Sequence, residues 1–273
     1  MPTIAQIREL AEARNRRICR EYYEHGSGQK AEMAMAPILE DYSDLSSRTI
    51  IDQLREAYEK ESDPAEKRRL QYLLADLLEG FLAKHVAPLH DQVATQEATK
   101  YIVVDGEEMP FRQAAIRMAN EHDRSRRLAI QAASREVISE FSPLHVAALD
   151  GVRKLLVQDL GFPSYTDFYR IQRGIEFEEL AKLMRTFVAR TSDLYHDAMD
   201  AWTREQLGLR LEDCERHDIT CLLRAREFDH AFPETGLIPT LEATVRDLDL
   251  SLRHINLDLE KRPTKSPRAF CSP

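Results

Sequence analysis

Apolar and charged positions recur at three- and four-residue steps over most of the chain, the period of helices with one face turned inward. Residues 3 to 24 follow it until "HGSGQK", 25 to 30, breaks it with two glycines. "SSRTIIDQLREAYEKES" offers Ser46 or Ser47 as the cap of a second helix. "DPAEKRRLQYLLADLLEGFLAKH" starts a third, with Asp63 as cap and Pro64 at the first helical position, where its missing N–H costs nothing. Helices resume in "FRQAAIRMANEHDRSRRLAIQAASREVISE", and "SPLHVAALDGVRKLLVQDLGF" ends on Gly161, which suits a helix C′ position. The longest helix is predicted within 164 to 208, closed by Gly208. Its stripe of Phe177, Leu180, Met184, Phe187, Leu194, Ala198 and Trp202 reads as core. Two further helical pieces follow near 215 to 230 and 237 to 249.

Two stretches depart from the helical period. "TKYIVVDGEEMPF", 99 to 111, has a β-branched run, then Asp105-Gly106, then a second short extended piece. Asp-Gly supplies the positive φ angles of a tight turn, so a small β-hairpin is predicted near 100–110. Near 253–260, Ile255, Leu257 and Leu259 alternate with Asn256, Asp258 and Glu260, the period of a β-strand with one face buried. The fold class is therefore mainly α, a multi-helix N-terminal lobe with one small hairpin and a terminal strand. Residues 1–160 form an N-terminal helical region and 161–273 a second one.

Composition narrows the partners more than the fold. Apolar residues make up 43% and charged ones 31%, an ordinary globular balance. With 47 acidic against 38 basic side chains, the net charge of −9 disfavours a nucleic-acid partner. No window has the apolar length to span a bilayer, so no membrane partner is expected. The opening "MPTIAQIREL" lacks a long apolar core and a small-residue cleavage site, so no signal peptide is expected. Cys19, Cys214, Cys221 and Cys271 are scattered; Cys214 and Cys221, seven apart, read as buried thiols on one helix face. A cytoplasmic setting fits this usage.

The search for chemistry finds no catalytic and no metal-ligating set. None of the nine histidines lie four apart, so the His-Glu-x-x-His pattern of a zinc helix does not occur. His85 and His90, with Pro88 between them, point to different faces. A di-iron bundle needs two Glu-x-x-His pairs and two more glutamates. Glu227 with His230 makes one, Asp193 with His196 only an imperfect second, and one pair arises by chance in a Glu-rich helical chain. Phosphate-cradling glycine loops and a Gly-x-Ser-x-Gly elbow are absent. "HDRSRR", 122 to 127, reads as a solvated helix face, and "EKRPTKSPR" as a basic run able to meet an acidic partner.

The last stretch, "INLDLEKRPTKSPRAFCSP", resembles a segment of the thimet oligopeptidase and oligoendopeptidase F superfamily of zinc metallopeptidases. There a strand with an acidic residue is followed by an R-x-x-K-x-x-x-A-F/Y stretch, matched here by Asp258, Arg262, Lys265, Ala269 and Phe270. "LGFPSYTDFYR" is similar to the family's step into a helix, and "VVDGEEMPFRQA" with "EHDRSRRLA" to its hairpin and following helices. "LGLRLEDCERHDITCLLRAREFDHAFP" resembles the Leu-Gly-Leu and Trp-Asp-x-x-Tyr region, with His217 in place of tryptophan and Leu222 near the usual aromatic. The likeness covers most of the chain after about residue 95 and is strongest from 160 onward.

The resemblance implies the N-terminal part of a helical peptidase acting on short peptides. Its zinc, glutamate base and substrate-orienting residues would lie C-terminal to this chain, so no cofactor is expected here and zinc only in a full-length relative. Peptide substrate would be a partner only of the completed enzyme. It further implies that residues 254–260 join a sheet bordering the substrate cleft, with His254, Asn256 and Asp258 on its polar face; an edge strand there can pair with an extended peptide. Core faces prepared for the missing part are expected to stand uncovered.

Overall fold

Short polar side chains set where the helices begin. The computed structural model describes residues 1–253 and 255–267. Its helices are α1 (Ile4–Gly26), α2 (Met35–Asp41), α3 (Arg48–Lys60), α4 (Pro64–Thr99), α5 (Ala114–Asn120), α6 (Arg124–Lys154), α7 (Tyr165–Arg173), α8 (Phe177–Leu207), α9 (Arg216–Leu222) and α10 (Leu237–Asp247). Thr3 and Gln6 close a reciprocal capping box on α1. Ser47 caps α3, Asp63 caps α4 ahead of Pro64, Asp123 caps α6 and Ser164 caps α7. At the other ends, Gly174 and Gly208 take the left-handed conformation that closes α7 and α8. The protein is mainly α, with one hairpin.

That hairpin joins β1 (Tyr101–Val104) and β2 (Glu107–Pro110) through Asp105 and Gly106, both at positive φ. Its register pairs Ile102 with Met109 and Val104 with Glu107. Ile102, Val104 and Met109 turn inward onto Val93 of α4 and Ile130 and Phe141 of α6. A second cluster joins α1, α3 and α4 through Ile7, Ile50, Leu54 and Leu77. A third joins Ile51, Leu78, Leu82, Leu156, Leu160 and Phe168, drawing on residues either side of position 160.

Two prolines lie inside helices they would ordinarily break. Pro88 sits within α4 and Pro143 within α6. Buried neighbours hold the helical path: Val86, Ala87 and Val93 around the first, Phe141 and Ala148 around the second. Consequently α4, with 36 residues, is the longest helix, ahead of the 31 of α8.

The predicted core stripe of α8 is not covered. Leu180, Met184, Phe187 and Leu194 are exposed, Leu194 at 73% and Phe187 at 59%. Only Thr203 of this helix is buried. Beyond Phe168, Leu222 is the one fully buried apolar side chain among the described residues. Periodicity identified an apolar face correctly; it carried no information about what covers it.

The predicted terminal strand also does not form. Among the described residues, 255–260 pair with no neighbouring strand. Ile255, Leu257 and Leu259 are exposed, while Asp258 is half-buried, the reverse of the expected alternation. A strand needs a neighbour to take its N–H and C=O groups, and the surrounding helices offer none. Among the described residues no helix is long and apolar enough to cross a membrane.

Candidate functional site

The segment that carries the resemblance docks onto the turn after α1. Asp258 is its centre: Arg262 Nη1 donates to its carboxylate at 2.8 Å, and Lys265 Nζ lies 3.4 Å away. Lys265 Nζ also donates to the carbonyls of Asp258 at 2.8 Å and Glu260 at 3.0 Å. The hydrogen bond from Arg262 holds the Asp258 carboxyl below the usual carboxylate range. Acidic and basic residues four apart thus tie the segment into a closed loop. Of the basic run, Arg262 and Lys265 are occupied within the chain, while Lys261 faces outward.

This loop is fastened to residues 26–28. Ser266 N donates to Gly26 O at 2.8 Å, Arg262 Nη1 to Ser27 O at 3.0 Å and Thr264 Oγ1 to Gly28 O at 3.0 Å. Gly28 has φ +73°, and a Cβ there would stand 2.5 Å from Lys265 N. Both the backbone angle and the close approach require glycine. From the other side, Arg112 Nη1 donates to Thr264 O at 2.6 Å, while its Nη2 meets His25 Nε2. Burial, and next the Arg112 charge, lower the His25 pKa, which keeps Nε2 an acceptor for that contact.

A second polar centre joins two other stretches of the resemblance, 91 residues apart. Arg127, predicted on a solvated face, is buried, and its Nη2 donates to Asp218 Oδ1 at 2.7 Å. Arg124 donates to the same carboxylate through Nε and Nη2, the latter at 2.9 Å. Glu215 N adds a bond at 3.0 Å, and His217 Nδ1 lies 3.2 Å away. Burial alone would raise the Asp218 carboxyl, but the hydrogen bonds from Arg124, Arg127 and Glu215 and the nearby His217 outweigh it and hold it at about 2. A fully buried carboxylate with two guanidinium partners is a structural anchor between α6 and α9.

The individually named candidates separate. His254 lies outside the described residues, as do Ala269, Phe270 and Cys271. Asn256 is exposed and takes no part in the Asp258 cluster. Cys214 precedes α9 and Cys221 lies within it, both half-buried, so they do not share a helix face. His230 contacts the backbone oxygen of Glu227 at 2.9 Å, and His196 that of Ser192 at 2.7 Å; both histidines are exposed. Among the described residues no group of three or more His, Cys, Asp or Glu is placed to hold a metal ion. Sequence reading missed Arg124, Arg127 and Asp218, because nothing local links residues so far apart. No protein-family model, curated protein or solved structure matches the chain.

Proposed function

We propose that this chain is the N-terminal helical part of an oligopeptidase-like zinc metallopeptidase whose parent cleaves short peptides in the cytoplasm. The observation that carries this reading is the uncovered apolar layer of α8, where Leu180, Leu183, Met184, Phe187, Val188, Leu194 and Tyr195 stand exposed. A stripe that wide is ordinarily buried against further protein. On this reading, the layer that covers α8 brings the zinc and the glutamate base for attack of water on the peptide bond. On this reading the 273 residues alone are expected to be inactive.

The test is to read the coding frame past Pro273 and assay the product as one chain. The expected result is a His-Glu-x-x-His helix within a few tens of codons and zinc-dependent cleavage of short peptides. A stop codon directly after Pro273, with a stable monomeric chain, contradicts it. That outcome selects the alternative, a non-catalytic scaffold that binds a peptide or partner protein, which the same exposed face of α8 also supports.

A further inference from the structure

We propose that the uncovered face of α8 binds a second copy of this chain, the two α8 helices pairing antiparallel about a two-fold axis between Ser192 and Asp193. The helix is long enough for this, since its 31 residues span about 46 Å at 1.5 Å per residue. Its apolar face keeps the heptad period of a paired helix. Met184, Thr191 and Ala198 recur at one seam position, and Leu180, Phe187, Leu194 and Ala201 at the other.

Side-chain size favours the antiparallel order. The two seam positions then meet crosswise: Phe187 packs on the partner's Ala198, Met184 on the partner's Ala201 and Thr191 on the partner's Leu194. The two-fold axis repeats each layer in reverse. Bulk lies in the first half of this seam and alanine in the second, so large side chains face small ones throughout. A parallel order would stack Phe187 on the partner's Phe187 and leave Ala198 facing the partner's Ala198, with a gap between them.

Charge makes the same choice. Arg190 and Asp197, one heptad apart, flank the seam on one side. Both are exposed, and neither has an ion-pair partner among the described residues. Antiparallel pairing sets Arg190 beside the partner's Asp197, and the two-fold axis makes the bridge twice. A parallel order would set Arg190 beside the partner's Tyr195 and Asp197 beside the partner's Trp202, with no bridge. On the other flank, Val188 meets the partner's Tyr195 and widens the apolar contact. A foreign partner needs no such match between the two halves of one helix, and this match is what selects a second copy. The proposal goes beyond the peptidase reading and concerns the 273-residue chain alone: where further chain covers α8, it displaces the second copy, and the coding frame past Pro273 decides that reading separately.

Sedimentation equilibrium of the 273-residue chain and of two charge variants tests it. The unaltered chain is expected to pass from monomer to dimer in the micromolar range. Arg190→Asp and Asp197→Arg each place like charges together at both bridges, so each alone should dimerise at least about tenfold more weakly. Mixed in equal amounts, the two variants restore both bridges in a heterodimer and should regain the affinity of the unaltered chain. A chain still monomeric at millimolar concentration, the outcome where only further chain or a foreign protein covers α8, overturns the proposal. So does association that runs past the dimer, a variant that dimerises as tightly as the unaltered chain, or a mixture that pairs no better than its components. The first of these readings uses the unaltered chain, and the mixture shows that both variants are folded.

Discussion

Residues 1–173 and 177–267 are held together by different physics. In the first region α1, α3, α4, α6, α7 and the hairpin bury leucines, isoleucines and phenylalanines against one another. In the second, most of the large apolar side chains of α8 and the segments after it face outward, Leu222 being the buried exception, and polar ties attach the region to the first. Asp218 holds Arg124 and Arg127; Arg224 reaches Asn120; Arg226 reaches Ala119; residues 262–266 fasten onto 26–28. Apolar burial is non-directional and scales with area, so it makes a core wherever two faces meet. Polar ties fix a position without supplying a core. The second region is thus positioned by the first, while the apolar face of α8 stays uncovered.

The comparison breaks most sharply at its seam. Asp218→Ala leaves Arg127 buried without its carboxylate and should cost about 3–5 kcal/mol, read by denaturant unfolding. Next comes a matched pair of truncations. Leu77→Ala, in the α1–α3–α4 cluster, should cost about 2–5 kcal/mol, whereas Leu194→Ala on exposed α8 should stay within about 0.5 kcal/mol. Equal costs would erase the distinction between the regions.

Acid should loosen the same seam more gently. The folded pKa of Asp218 is lowered from 3.8 to about 2, so its contribution is complete above the unfolded value and is lost as pH falls through the folded one. The loss amounts to about 2 kcal/mol and falls below pH 4. Trp202, the single tryptophan, lies half-buried near the end of α8, and its fluorescence should report the change before α4 unfolds. A fluorescence change that tracks α4 helicity at every pH would show one cooperative unit. Leu194→Ala apart, the smallest effect is that of Gly28→Ala, which should cost about 1–2 kcal/mol through its positive φ and release the 262–266 loop. Faster tryptic cleavage after Lys265, which Ser266 follows, with α4 unaffected, is the expected readout.

Much of the first region was legible in the sequence because its signals are local. Asp63-Pro64, Ser47 and Asp105-Gly106 each fix a cap or a turn by their own chemistry, as Gly208 does in the second region. Pro88 and Pro143 show the opposite case, since buried neighbours outweigh a proline's local preference and keep both inside helices. The 215–230 piece is broken after α9, where Ala225 takes a left-handed angle that no glycine announced. For the site, the resemblance singled out Asp258, Arg262 and Lys265 without pairing them, and alternation around Asp258 suggested a strand. Alternation specifies a face, yet a strand exists only where a neighbour accepts its hydrogen bonds. The docking on Gly28 and the Arg127–Asp218 pair depend on contacts far apart in the chain, which no window of sequence displays.

Hydrogen exchange along the intact chain tests the central claim most directly. Residues 180–198 of α8 should exchange far faster than residues 70–93 of α4 in the monomeric 273-residue protein. Protection of α8 equal to that of α4 in a monomeric 273-residue chain would contradict the account.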